Sequence, residues 1–213
     1  MLYLSRKIEV IMIKSFIINR SLKTVSTMYQ EYDPIKMDEI RYGLEAVYLC
    51  LTKVFVILFV TFLLGFLKEA IILLLFFNGL RAFAFGIHAS KSWMCWIASS
   101  ILFIGFPYLC INLYMPDFVY YIIMGLSMMC FILYAPADTK KRPLVRKNRR
   151  LKFKILTIVV SSIYIALFIF TDSMFIKNTI TCAMLIESVL IHPLTYRVFK
   201  LPYKNYERYV FSK

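Results

Sequence analysis

The sequence predicts an all-α integral membrane protein, and two observations carry that prediction. Hydrophobic residues fill 61% of the 213 positions and charged ones only 18%, a balance outside the range of ordinary soluble domains. The apolar residues also gather into runs of the ~20 residues that a bilayer crossing needs, separated by short polar breaks. The formal charge of +14 is a poor argument for a nucleic-acid partner. The basic residues sit in three clusters beside apolar runs, as the cytoplasmic flanks of membrane helices do.

Residues 1–30 predict an amphipathic helix at the lipid surface or against a partner. Leu4, Ile8, Ile11, Ile18, Leu22 and Val25 form a near-heptad stripe broken only by Ser15, with the basic residues off it. Its longest unbroken apolar run, Val10 to Ile13, is far too short to span. Arg6, Lys7, Lys14, Arg20 and Lys23 are interspersed where a secretory signal would carry a pure apolar core. Pro34 ends the helix, because the residue before a proline is pushed out of the helical region. The expected organisation is an N-terminal arm over 1–38 and a helical transmembrane domain over 39–213.

Six candidate spans follow, at about 44–66, 70–86, 93–113, 118–135, 153–171 and 174–194. The second is marginal, with Asn78 and Arg81 inside it, and a re-entrant segment is the alternative. Lys177 near the start of the sixth can snorkel to the interface. The N-terminal arm, the 137–154 loop and the tail after Arg197 are basic, while the loops near 68, 116 and 172 are nearly neutral. That bias puts both termini and the 137–154 loop on the cytoplasmic side of a multi-pass cell-membrane protein, with residue 88 near that face.

Charge inside an apolar run asks for a partner, since a lone one costs on the order of 3 kcal/mol on insertion scales. Lys53 and Glu187 are such charges, and at about 1.5 Å per residue their expected depths differ by only about 3 Å. They are expected to pair, with Arg81 the competing partner for Glu187.

Five cysteines, an odd number, fit neither a disulfide framework nor a zinc site, and no metal or other cofactor is expected. Cys50, Cys110, Cys130 and Cys182 lie inside apolar runs, where a thiol behaves as a small hydrophobe. Cys95 differs, because it follows a polar break and has His88 seven residues before it. A His and a Cys are the parts of an activated thiol nucleophile: the imidazole takes the proton and the thiolate attacks. In one straight helix that spacing would separate them by about 10 Å along the axis. Cooperation needs roughly 3 Å, so a break in the helix is expected between Gly86 and Ser92. The plain alternative is a packing cysteine and an interfacial histidine. Ser90 and Ser92 have no general-base pattern beyond His88 to make either a nucleophile.

Arg81, Gly86, His88, Ala89 and Cys95 together form the pattern R-x4-G-x-H-A-x5-C. This resembles the core signature of the accessory gene regulator B family, integral-membrane cysteine endopeptidases of Gram-positive bacteria. Downstream, Tyr134-Ala-Pro-Ala-Asp-Thr-Lys-Lys-Arg-Pro resembles that family's Ala-Pro-rich basic loop. The likeness runs from about residue 40 to residue 195. Many members carry Gly-Gly before the x-His, where this chain has Phe85 and Gly86.

The resemblance implies catalysis by His88 and Cys95, with Arg81 and Gly86 in support. It implies a partner as well, a ribosomal autoinducer pro-peptide with an acidic C-terminal tail. Cleavage before that tail would leave the signal segment as a thioester on Cys95, which closes to a thiolactone or lactone. Arg81 could stabilise a thiolate or bind a substrate carboxylate, its alternative being to snorkel to phosphate. For a third member that orients His88, Glu187, Asp138 and His192 are available. The 137–154 segment carries nine Lys or Arg against one Asp. Among them Lys140, Lys141, Arg142, Arg146, Lys147, Arg149 and Arg150 are either the positive-inside signal alone or a docking strip for the acidic tail. Self-association into a homodimer stays open. The rival class is a non-enzymatic small transporter or assembly scaffold built on the same helices.

Overall fold

The computed structural model describes residues 2–29, 33–87, 92–139 and 143–210, apart from the side chains of 2–14, 34–36, 39, 46, 92 and 208–210. Its order is α1 (Leu2–Met28), α2 (Pro34–Leu63), α3 (Leu67–Ala84), α4 (Ser92–Ser100), a π turn (Ile101–Gly105) and α5 (Phe106–Asn112). There follow α6 (Asp117–Tyr134), α7 (Lys147–Phe170), α8 (Met174–Ile191), α9 (Pro193–Val198) and α10 (Asn205–Val210). The chain is an all-α membrane protein. Five stretches are long and apolar enough to cross a membrane: Ile40–Leu63, Trp93–Asn112, Asp117–Tyr134, Lys147–Phe170 and Met174–Ile191. α3 is 18 residues long but includes Lys68, Glu69 and Arg81, so it is the element whose composition stays marginal.

The chain divides into two compact units, Met1–Val56 and Ile57–Lys213. In the first, α1 runs unbroken for 27 residues. On its stripe Ile18 is buried and Leu22 and Val25 half-buried, while Phe16 and Ile17 are exposed. Leu4, Ile8 and Ile11 lie among the side chains not described. Arg41 of α2 donates to Asn19 Oδ1 at 3.3 Å. Pro34 opens α2, where its missing N–H is no loss.

In the second unit, α2 closes on Gly65 at φ +80°, with Phe66 N–H on Thr61 O (3.0 Å) and Gly65 N–H on Phe62 O (3.1 Å). Those two bonds satisfy carbonyls the helix end would otherwise leave bare, and only glycine takes that φ without strain. The π turn has a local cause in Pro107. Its ring would clash with the carbonyl four residues back, Phe103, and it brings no N–H. The wider turn just before it absorbs the misfit.

α8 is the central helix. Ten of its 18 residues are buried, against four each in α6 and α7. Small and polar residues there, such as Thr179, Ala183 and Ser188, let neighbouring backbones approach. Their hydroxyls turn back on their own helix, Thr179 to Phe175 O (2.7 Å) and Ser188 to Leu185 O (2.8 Å). Asn178 ties three elements: it donates to Cys110 O and Leu113 O, both at 2.8 Å, and accepts from the Tyr120 hydroxyl. α3 meets α7 as closely. A Cβ added to Gly79 would overlap the Tyr164 hydroxyl, which donates to Phe76 O at 2.9 Å. The opposite faces carry Leu75, Phe118, Ile122, Leu126, Ile163 and Leu167, all exposed. In a bilayer these face lipid rather than water.

Candidate active site

α3 ends at Ala84, just ahead of the Gly86–Ser92 stretch where a break is expected. Phe85 (φ +63°) and Gly86 (φ +93°) both leave the right-handed region, and the chain departs from the helix axis three residues before His88. Its new course is fixed by three backbone bonds. Gly86 N–H donates to Ala137 O (2.9 Å), Ala137 N–H to Ala84 O (2.9 Å), and Ile87 N–H to Leu190 O of α8 (3.2 Å). Phe85 and Ala137 thereby form an isolated parallel bridge between the end of α3 and the Ala-Pro loop. The two motifs noted in sequence are one piece of structure.

Arg81 fastens the same turn from inside. One guanidinium arm, Nη2, donates to Ile87 O, and the other, Nη1, lies 3.4 Å from Glu187 Oε2. Of the two cations weighed for Glu187, the ion pair is made by Arg81. Glu187 is fully buried, and among the described residues its second oxygen has no hydrogen-bond partner. Gly86 leaves room for this pair: a Cβ there would lie 2.7 Å from Arg81 Nη1 and 3.0 Å from Leu190 O. At position 85 a side chain is tolerated because it packs. The Phe85 ring meets Phe153 edge-on at 4.9 Å, a contact of about 0.5–1.5 kcal/mol that offsets part of the positive-φ cost of about 1–3 kcal/mol.

The Ala-Pro loop is held on its other side by the C-terminal segment. Tyr196 is buried and its hydroxyl points to Asp138 O (3.0 Å) and Ala137 O (3.3 Å). Burial, and then the charge of Asp138, push that hydroxyl well above its ordinary range, so it stays a donor. The Asp138 carboxylate accepts from Asn205 N–H (2.9 Å), Tyr206 N–H (2.8 Å) and Leu144 N–H (3.4 Å). His192 caps α9 by accepting from Leu194 N–H at 3.2 Å. Of the three side chains open as a third member, Asp138 and His192 are thus engaged elsewhere, and Glu187 alone belongs to the Arg81 turn.

Cys95 is half-buried in the first turn of α4. His88 lies outside the described residues, as do Lys140, Lys141 and Arg142. In the rest of the basic segment, Arg146, Lys147 and Arg149 are exposed at the start of α7. Cations there oppose the helix dipole by about 0.3–1 kcal/mol each at low salt, so helix stability is not their reason for being there. Arg150 is occupied: its guanidinium stacks 3.7 Å from the Tyr206 ring and donates to Leu144 O at 3.3 Å. Among the described residues no three His, Cys, Asp or Glu are grouped to hold a metal ion.

Comparison with known proteins bears on this site directly. The family model for accessory gene regulator B matches residues 21–191, which takes in α3, the Arg81 turn, Cys95 and the Ala-Pro loop. The chain belongs to that family. An AgrB-like protein of Clostridium acetobutylicum is 28% identical over 196 residues, covering 91% of this chain and 94% of its own. The accessory gene regulator protein B of Staphylococcus aureus is 30% identical over 167 residues, covering 76% of this chain and 85% of its own. A Listeria monocytogenes AgrB-like protein is 27% identical over 171 residues. No solved structure matches the chain.

The sequence alone did not yield the Asp138 clamp, since nothing in apolar periodicity links residue 138 to 205. The pairing of Arg81 with Glu187 carried a signal, a carboxylate inside an apolar run. α9 did too, in the His192-Pro193 pair that opens it.

Proposed function

We propose that the chain is a membrane-embedded cysteine endopeptidase of the accessory gene regulator quorum-sensing system. On this reading it cleaves an autoinducer pro-peptide before an acidic C-terminal tail. His88 takes the proton of Cys95, and the thiolate attacks the carbonyl of that peptide bond. His88 returns the proton to the departing amine, so the tail leaves as a free peptide and the signal segment stays on Cys95 as a thioester. A Cys or Ser within the segment then attacks the thioester and closes the ring, restoring the Cys95 thiol. The thioester keeps the acyl-transfer potential that hydrolysis would discharge, and a site shielded by lipid limits competition from water. The termini and the 137–154 loop are cytoplasmic and α3 counts as a crossing. The arm 1–38 lies on the membrane surface.

The observation that carries this reading is the Arg81 turn: two members of the R-x4-G-x-H-A-x5-C pattern are built into one constraint on the backbone that leads to His88. The test is single turnover in proteoliposomes with an acidic-tailed pro-peptide. A thioester on the tryptic fragment containing Cys95, released by neutral hydroxylamine, is the expected result. Cleavage with no such adduct would leave the peptide processed by another route.

The cations of the basic segment dock the acidic tail: Arg146, Lys147 and Arg149, which are exposed, together with Lys140, Lys141 and Arg142. Exposed charges are screened, and the Debye length falls from about 10 Å at 0.1 M salt to about 3 Å at 1 M. In neutral lipid the KM should therefore rise with salt while kcat holds, because docking serves ground and transition states alike. Replacing Arg146 and Lys147 with Gln should raise KM and flatten the salt response. Arg150 is left out of this test because it braces the loop. A KM indifferent to both changes would reduce the cluster to a topology signal.

A further inference from the structure

We infer that Glu187 is a positioning residue for this reaction, acting through Arg81 on the peptide group that joins Ile87 to His88. The inference rests on the proposed function above and names a residue beyond the five of the pattern. A fully buried carboxylate is costly to keep among apolar neighbours, and an apolar residue of similar size would pack α8 at less expense. What the carboxylate supplies is direction. A guanidinium is a rigid planar fork, so fixing Nη1 by Glu187 at 3.4 Å also fixes where Nη2 points. Nη2 points at Ile87 O.

That oxygen belongs to the same planar amide as the nitrogen of His88, so holding it sets the peptide plane from which His88 departs. The N–H side of Ile87 is held independently, by Leu190 O at 3.2 Å, one turn beyond Glu187 on the same helix. α8 therefore grips residue 87 at both of its backbone polar groups, once directly and once through Arg81. A base must stand within hydrogen-bond reach of its thiol, and a misplacement of about 1 Å costs on the order of 10²-fold. Glu187 thus sets the geometry of the general base without touching substrate.

The experiment compares wild type, Cys95→Ser, Glu187→Gln, Glu187→Leu, Arg81→Gln and the Arg81→Gln/Glu187→Gln pair. Each is purified in proteoliposomes and assayed with an acidic-tailed pro-peptide. Glu187→Gln keeps the volume and a neutral acceptor for Arg81. Its kcat should fall about 10- to 100-fold with KM within about twofold. Glu187→Leu should lose more, and if it does not fold, the Gln variant decides. The pair should be no worse than Arg81→Gln alone, because the second change removes an element whose only output is already gone. A Glu187→Gln kcat within about twofold of wild type, a loss confined to KM, or losses that multiply in the pair would overturn the inference while Cys95→Ser stays dead. A Cys95→Ser protein that cleaves like wild type would instead bring down the proposed function, and this inference with it.

Discussion

Cys95→Ser and His88→Ala should each abolish cleavage of an acidic-tailed pro-peptide while the protein still inserts and purifies. The expected loss in kcat is on the order of 10⁴-fold or more, as when either half of a nucleophile–base unit is removed. Serine keeps the shape of the thiol but brings a hydroxyl that a lone imidazole activates poorly, so the loss reports chemistry rather than packing. The other thiols give the controls. Cys50→Ala, Cys110→Ala, Cys130→Ala and Cys182→Ala should leave kcat intact. Cys110 of α5 and Cys182 of α8 are both buried, so those two should lower thermal stability by a cavity cost. The pattern of one silent and four active variants separates a thiol peptidase from a transporter or scaffold, which would accept serine at 95.

Gly86→Ala carries the second-largest effect. At φ +93° an alanine is strained by about 1–3 kcal/mol before any contact is counted. Its methyl would also stand 2.7 Å from Arg81 Nη1 and 3.0 Å from a backbone oxygen that cannot move aside easily, Leu190 O. The flexible partner gives way, so Arg81 should leave Ile87 O or Glu187 or both. Loss of kcat by about 10²-fold is expected, alongside a fall in melting temperature in detergent. Gly125→Ala is the matched control: its Cβ would meet nothing within 4 Å, and activity should be unchanged. A Gly86→Ala protein with wild-type turnover would mean that the turn does not govern the chemistry.

Apolar run length located the membrane-crossing helices to within a few residues, apart from α7, which starts at Lys147 rather than near 153. The shortfall is physical. The first turn of α7 is made of Lys147, Asn148, Arg149 and Arg150, which hydropathy counts as loop although their backbone is helical. The marginal reading of α3 has the same origin in Lys68, Glu69 and Arg81. Run length also cannot see a change of helix type, so the π turn stayed hidden, though Gly105-Phe106-Pro107 was its trace. At the site, the break at Gly86 was legible because residues 88 and 95 cannot cooperate across a straight helix. The partner of Glu187 was legible only as a choice. Depth along the membrane normal ranks candidate cations but says nothing of the direction in which each helix face looks. It is the packing of α3 against α8 that brings Arg81 to Glu187, across 106 residues of sequence.

The Asp138 clamp bears on how the molecule is made. Its carboxylate is completed by the N–H of Tyr206, 68 residues later in the chain. At an elongation rate of about 5–20 residues per second, roughly 3 to 14 seconds of synthesis separate the acceptor from that donor. α7 and α8 are both synthesised within that interval. Through that interval the Ala-Pro loop lacks the Asp138–Tyr206 bond, while the partners of its backbone bonds to the end of α3, Ala84 and Gly86, have already been made. The Asp138 clamp closes only when the ribosome has passed residue 206, so the loop is fastened by chain made well after its own residues.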